Sequence, residues 1–190
     1  MCGFRSRHHG GNRLFCLFLT GLFLCMASGL TLAASKGGKS MEVQSSAFHQ
    51  GGLIPPKYTC TGENASPPLL WKSLPEGTKS IALIADDPDA PMGTWVHWVY
   101  YDIPAHVSGL PEHVPQGKSP SVGGTQGMND SKNIGYDGPC PPSGTHRYYF
   151  KAYALDSMLN LPPGASKKDL LKAIQGHILG ESVLMGKYAK

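Results

Sequence analysis

The segment KSIALIADDPDAPMGTWVHWVYYDI, residues 79–103, carries the clearest indication of the fold. Residues 79–85 form a short apolar run that is typical of a buried strand. Residues 94–103 form a second run, rich in aromatic and β-branched side chains. Between them, residues 86–91 hold three acids in a turn that two prolines stiffen. This pattern predicts a β-rich protein with carboxylates fixed at one end of its sheet.

A third strand is predicted at residues 146–155, HRYYFKAYAL. Because side chains alternate along a strand, one face of this run carries the set His146, Tyr148, Phe150 and Ala152. The same alternation in the second run predicts a shared face for Trp95, His97, Val99 and Tyr101. The two strand histidines, His97 and His146, are the candidates for a polar cavity. A histidine satisfied by a neighbouring carbonyl is the alternative for each of them.

The remaining pattern predicts one long connection and one helix. Residues 104–145 are rich in Gly, Pro, Ser and Asn, and loops of this length are often functional. Ser166 is a suitable N-cap with Asp169 in the first turn, and apolar or ring side chains recur at helical spacing at Leu170, Leu171, Ile174, His177 and Ile178. The sum is a mainly β protein, an antiparallel β-sandwich with a C-terminal helix.

The N-terminal stretch has the composition of an export signal. Three arginines precede the apolar residues 14–27, and small residues follow at Ala33, Ala34 and Ser35. We expect residues 1–34 to be a cleaved signal peptide, 35–40 a flexible linker and 41–190 a single domain that is periplasmic or secreted. An uncleaved membrane anchor over residues 14–34 and a start at Met41 are the alternatives.

Charge and cysteine content limit the classes of partner. Of the 17 Lys and Arg, three lie in the leader, so 14 remain against 13 Asp and Glu. This balance argues against nucleic acid as a partner, because that requires a clustered basic face. Without the leader only Cys60 and Cys140 remain, and an even pair in an oxidising compartment is a disulfide candidate. Two unpaired buried thiols are the alternative.

The acidic turn and the stiff segment 138–146, GPCPPSGTH, both lead to a strand histidine. Two rigid loops that end beside His97 and His146 predict a preformed pocket. A carboxylate there can hold an imidazole protonated or in one tautomer, so that the ring donates to a bound anion. We therefore expect anion binding to weaken as the pH rises through the range in which imidazoles titrate.

The combined motifs resemble the phosphatidylethanolamine-binding protein family, in its bacterial, Raf-kinase-inhibitor-like branch. They comprise residues 87–91 (DPDAP), His97-Trp98, the segment 138–148, residues 64–71 (NASPPLLW) and residues 51–58 (GGLIPPKY). The resemblance covers residue 41 to the C-terminus and implies a β-sandwich with a small pocket for phosphate-like or carboxylate anions. The residues that it places at the pocket are Asp87, Pro88, Asp89, His97, Pro142, His146 and Tyr148. We expect no cofactor and no metal.

Two other functions use the same features. A protein-protein inhibitor of a protease or kinase-type enzyme would act through the loop 104–145, although that loop offers no apolar anchor cluster. A weak hydrolase would use Asp/His acid-base chemistry, but no Gly-x-Ser-x-Gly elbow is present. A zinc site from Asp87, His97 and His146 lacks a dense ligand motif. A phospholipid headgroup is compatible with the pocket, while the physiological ligand, protein target and oligomeric state stay open.

Overall fold

The computed structural model describes residues 40–190; the predicted signal peptide, and residues 35–39 of the predicted linker, lie outside the described part. The elements are β1 (Glu42–Gln44), β2 (Leu69–Lys72), β3 (Ser80–Asp87), β4 (Trp95–Pro104), β5 (Gly109–Leu110), β6 (Thr125–Gln126), β7 (Thr145–Leu155), α1 (Lys167–Ala173) and β8 (Ile178–Ala189). A single 3-10 turn at Pro56–Tyr58 precedes β2.

The strands form two antiparallel sheets. One has the order β1-β2-β5 and the other the order β6-β4-β3-β7-β8. In the larger sheet Ala85 of β3 pairs with Trp98 of β4 on one side and with Phe150 of β7 on the other. The three strands predicted from the sequence are therefore the central strands of this sheet, and the predicted β-sandwich is confirmed.

Both faces of the larger sheet are buried, which explains why β3 is buried along its whole length. The inner face packs on the smaller sheet through a cluster that includes Trp71, Leu83, Trp98 and Phe150. The outer face packs on α1 through a second cluster, which includes Leu170. A strand covered on both sides has no solvent-facing side, so residues 81–85 of β3 form a continuous apolar run rather than an alternating pattern.

The predicted helix is present but shorter than its periodicity suggested. Ser166 caps α1 in a capping box with Asp169, as expected, and the helix ends at Ala173. Gly176 adopts a left-handed conformation with φ 80°, which stops the helix, and the next residues enter β8. The prediction that His177 and Ile178 continue the helix is wrong. No helix within residues 40–190 is long and apolar enough to cross a membrane.

A β-bulge in β4 changes which side chains share a face. Ala85 pairs with Trp98 and Asp86 pairs with Val96, so His97 is an extra residue without a partner in β3. The ring of His97 therefore lies on the inner side, beside Tyr148, whereas Val99 and Tyr101 belong to the outer cluster. The predicted common face for Trp95, His97, Val99 and Tyr101 is wrong for this reason.

The connection 104–145 is ordered by a buried amide. Gln126 is fully buried and its carbonyl oxygen accepts from the indole N–H of Trp98 at 2.7 Å. Its amide nitrogen donates to the carbonyls of Pro115 at 2.9 Å and Gly117 at 2.7 Å. This one side chain ties the connection to the centre of the larger sheet. The polar segment 104–145 is therefore an ordered part of the structure, and it contains the two short strands β5 and β6.

Candidate functional site

A cavity of about 290 Å³ lies where β3 ends and where β4 and β7 begin. It is lined by Asp87, Ala90, Pro91, Met92, Trp95, His97, Ser131, Asp137, Gly138, Cys140, Pro141, Pro142 and His146. Its size is close to the lower end of the range for small-molecule sites. The acidic turn and the two strand histidines meet here, although His146 is far from the other two in sequence.

His146 and Asp87 form the polar centre of the cavity. The Nδ1 atom of His146 lies 2.7 Å from Oδ2 of Asp87, and the two side chains are only 10% and 5% exposed. The other carboxylate oxygen of Asp87 accepts from the backbone N–H of Asp89 at 2.8 Å. With Nδ1–H donated to the carboxylate, the ring orientation is fixed and Nε2 has no hydrogen-bond partner within residues 40–190.

Asp89 has a different role from Asp87. Its carboxylate receives Nε and Nη2 of Arg147 at 2.8 and 2.6 Å, together with the backbone N–H of Arg147 at 2.9 Å. These hydrogen bonds with the guanidinium lower the pKa of Asp89 to about 2. The pair pins the acidic turn to the start of β7 and lies outside the cavity lining, as does the exposed Pro88.

His97 is held by a carbonyl instead of a carboxylate. Its Nδ1 lies 2.7 Å from the carbonyl oxygen of Asp137, so Nδ1 is the donor and Nε2 carries the lone pair of the neutral ring. Burial lowers the pKa of His97, and this effect exceeds the opposing influence of Asp137 and Asp87. The cavity therefore contains two unlike imidazoles, one paired with a carboxylate and one kept neutral.

The lowered pKa of His97 predicts a stability change in mild acid. Between the folded pKa and the unfolded value of about 6.5, the unfolded chain binds the additional proton. We expect the free energy of unfolding to fall as the pH drops below about 6.5, and to fall less in His97→Asn, which retains a donor for the Asp137 carbonyl. Urea unfolding between about pH 5 and pH 8 measures both slopes. Equal slopes would contradict the prediction.

Tyr148 packs against His97 and does not itself line the cavity. Its ring contacts His97 edge-to-face at 5.3 Å between centroids, and the whole residue is 2% exposed. Its hydroxyl is buried without a hydrogen-bond partner within the described residues. Burial and the nearby carboxylate of Asp87 raise the pKa of Tyr148, so the hydroxyl stays a potential donor. A buried hydroxyl without a partner is costly to the fold.

The far wall of the cavity is the segment that precedes β7. Cys140 in this wall is joined to Cys60, with the Cα atoms 5.4 Å apart, so the predicted disulfide is confirmed. Asn64 fastens the same wall, since its amide oxygen accepts from the N–H of Gly138 at 2.7 Å and its amide nitrogen donates to Asp137 at 3.2 Å. The wall is thus held covalently and by hydrogen bonds.

The structure brings together most, though not all, of the residues selected from the sequence. Those that line the cavity are Asp87, His97, Pro142 and His146, with Tyr148 directly behind them. Pro88 and Asp89 belong to the acidic turn but do not line the cavity. Sequence reasoning missed Asp137 and Ser131, whose side chains hydrogen-bond to each other in the wall. The position of Asp137 directly before the Gly138-Pro139 motif was the available signal.

A family comparison matches residues 44–189 to the model described as phosphatidylethanolamine-binding protein. Among curated relatives, a UPF0098 protein of Methanothermobacter thermautotrophicus is 54% identical over 150 residues, which is 79% of this chain and 99% of the relative. A UPF0098 protein of Aquifex aeolicus is 51% identical over 160 residues, covering 82% and 92% of the two chains.

Two solved structures share the fold. A phosphatidylethanolamine-binding protein homolog from Chlamydia trachomatis has a TM-score of 0.74 at 43% identity and covers 80% of this chain and 98% of its own. YbcL of Escherichia coli, described as a member of the mammalian PEBP family, has a TM-score of 0.73 at 32% identity, with 80% and 99% covered. The likeness extends over nearly the whole of each of these proteins.

Proposed function

The chain belongs to the phosphatidylethanolamine-binding protein family, and on this premise we propose that it binds a small anion in the Asp87/His146 cavity without catalysis. The ligand class is a phosphate-like, phosphoethanolamine-like or carboxylate group, free or as part of a phospholipid headgroup. The observation that carries the proposal is the buried His146–Asp87 pair, in which the carboxylate fixes the ring and leaves Nε2 without a hydrogen-bond partner within residues 40–190. The imidazolium then donates Nε2–H to an anion as a charge-assisted hydrogen bond.

The second imidazole favours a ligand that also carries a donor. Because His97 is neutral and donates through Nδ1, its Nε2 atom accepts a hydrogen bond. The carboxylate of Asp137 adds a further acceptor to the lining. A group such as phosphoethanolamine presents anionic oxygens for His146 and an ammonium group for the acceptors. Acetate offers the first only, so we expect phosphoethanolamine to bind more tightly than acetate.

The arrangement favours binding over catalysis. Cys140 is in a disulfide and the hydroxyl of Ser131 donates to Asp137, so neither is activated as a nucleophile by His97 or His146. The proposal includes export to the periplasm or the cell exterior. The leader composition supports export, and so does a disulfide, which persists in oxidising compartments.

The proposal predicts that anion affinity falls as the pH rises between about pH 5 and pH 8, because Nε2 of His146 carries a proton only in the imidazolium. Sulfate is the probe for this series, since its charge does not change over the range. Calorimetric titration of sulfate gives the affinities, and NMR of the imidazole C2 protons locates the anion between His97 and His146.

Asp87→Asn separates the charge from the hydrogen bond. An asparagine oxygen still accepts from Asp89 N–H, while its amide then faces Nδ1 of His146 and selects the neutral tautomer with a proton on Nε2. We expect affinity at low pH to fall about 10-fold and the pH dependence to disappear. The matched control is Asp156→Asn, because Asp156 pairs with exposed His177 at 2.8 Å in the same way. A sulfate affinity that is flat with pH in the unmodified protein would refute the proposal.

A further inference from the structure

A second and larger cavity lies between α1 and residues 128–132, on the outer face of the larger sheet. This cleft has a volume of about 980 Å³ and is open to solvent. Its lining residues are Val96, Met128, Asn129, Asp130, Lys132, Gly164, Ser166, Lys167, Lys168, Asp169, Leu171, Lys172 and Gln175. It is distinct from the anion cavity, with which it shares no lining residue. We call it the lysine cleft.

Both acids of the lysine cleft are already engaged. Asp130 accepts from the backbone N–H of Val96 at 2.7 Å. Asp169 completes the capping box with Ser166, accepting from its N–H at 3.0 Å and its hydroxyl at 2.7 Å. Both carboxylates are hydrogen-bonded within the fold and form no ion pair with a lysine of the cleft within residues 40–190. The hydrogen bonds with Ser166 lower the pKa of Asp169, and Lys168 and Lys172 nevertheless lie close enough for their charges to lower it further.

The four lysines of the cleft fall into two groups. Lys167 is bound at 2.5 Å to the fully buried Asp86, which also holds Lys151 at 2.8 Å, and this contact fixes the start of α1 to the sheet. The other three, Lys132, Lys168 and Lys172, are exposed and form no ion pair within the described residues. The ammonium groups of these three lysines are therefore exposed around the same cleft.

The position of Lys132 is maintained at a cost in backbone strain. Lys132 has φ 67°, a conformation that side-chain-bearing residues rarely adopt. The buried Asn129 holds this turn: its carbonyl accepts from Lys132 N–H at 3.1 Å, and its side chain bonds to Asn133 and Gly135, both at 3.0 Å. The backbone that carries Lys132 is therefore held in one conformation beside the cleft.

Apolar side chains lie among these charges. Met128 and Leu171 are 40% and 37% exposed and line the same cleft. A sulfated sugar would leave these two side chains without an apolar partner, and a nucleic acid requires a more extensive basic face than three lysines. A flat bilayer would not follow a concave surface. A peptide with alternating acidic and apolar side chains matches both the charge and the apolar area, and methionine adapts to varied partners.

We propose that the lysine cleft binds an acidic, partly apolar peptide segment of a partner protein. Its carboxylates pair with Lys132, Lys168 and Lys172, while its apolar side chains cover Met128 and Leu171. This site is independent of anion binding at His146, since the two cavities share no lining residue. Failure of either proposal would leave the other standing.

The test measures fluorescence anisotropy of a labelled peptide, EDLEDLEELD, mixed with the full chain at low ionic strength. The triple variant Lys132→Glu/Lys168→Glu/Lys172→Glu is expected to weaken binding at least about 10-fold. Leu171→Ser, which leaves the charge unchanged, is expected to weaken it about 3-fold. Because all four side chains are exposed, the variants should retain the fold, which circular dichroism checks.

The control triple variant is Lys72→Glu/Lys79→Glu/Lys118→Glu, which changes the net charge equally at exposed lysines outside the cleft. We expect it to bind the peptide as the unmodified chain does. Three results would overturn the proposal: no binding of EDLEDLEELD, an equal loss in both triple variants, or equally tight binding of EDSEDSEESD. Tighter binding of heparin fragments or of vesicles rich in phosphatidylserine, sensitive to the cleft variant, would also overturn it in favour of a polyanion or a membrane.

Discussion

Replacement of both Cys60 and Cys140 with serine is expected to lower the free energy of unfolding by about 4 kcal/mol, roughly a thousandfold change in the folding equilibrium. The two residues are 80 positions apart, so their bond removes a large loop entropy from the unfolded chain. Both are exposed, and serine therefore sacrifices little packing. Urea denaturation followed by circular dichroism measures the loss.

Reduction of the Cys60–Cys140 bond tests whether the loss of stability comes from the missing cross-link rather than from the serine side chains. Dithiothreitol should lower the stability of the unmodified protein to nearly that of the serine variant and should leave the variant unchanged. If the unmodified protein were as stable in reductant as without it, the cross-link would contribute nothing to stability.

His146→Gln is expected to weaken the binding of sulfate or phosphoethanolamine roughly 10- to 100-fold at about pH 6, because a charge-assisted hydrogen bond contributes about 1.5–3 kcal/mol. Glutamine can still donate to the carboxylate of Asp87, but it carries no positive charge to offer the anion. Calorimetric titration gives the ratio of affinities, and the variant should no longer respond to pH as the unmodified protein does.

The matched control is His177→Gln, since His177 also forms a pair with an aspartate but lies outside the cavity lining. Its removal should leave the affinity unchanged. Similar losses in both variants would mean that general positive charge, rather than the buried pair, attracts the anion, and the pocket assignment would fail.

The strands that are buried along most of their length were predictable from the sequence. The central strands β3, β4 and β7 were visible as apolar and aromatic runs, because strands covered on both faces contain little else. β8 was missed since it lies at the edge of the sheet, where Glu181 and Lys187 interrupt the apolar pattern. The helical spacing of Leu170 and Ile174 continues to Ile178 in the sequence, and the left-handed backbone of Gly176 ends the helix before that residue.

The candidate site was predictable from residue types but not from geometry. His97 was selected from its residue type and lines the cavity, whereas its orientation depends on a bulge, and nothing in the local pattern indicates one extra residue in β4. Asp87 and Asp89 flank the same proline in the sequence. In the structure, however, Asp87 pairs with His146 inside the cavity and Asp89 pairs with Arg147 outside it. Such a difference arises from the pairing of β3 with β7, a contact between distant parts of the chain.

The covalent bond between residues 60 and 140 also determines what a broken chain would do. Five strands, β2 to β6, lie between its ends. A protease that cut the exposed stretch around Lys118 would leave two pieces still joined through sulfur, held at high effective concentration by the remaining sheet contacts. Outside a cell, where peptide bonds in surface loops are vulnerable, the cross-link would allow a nicked molecule to keep its architecture.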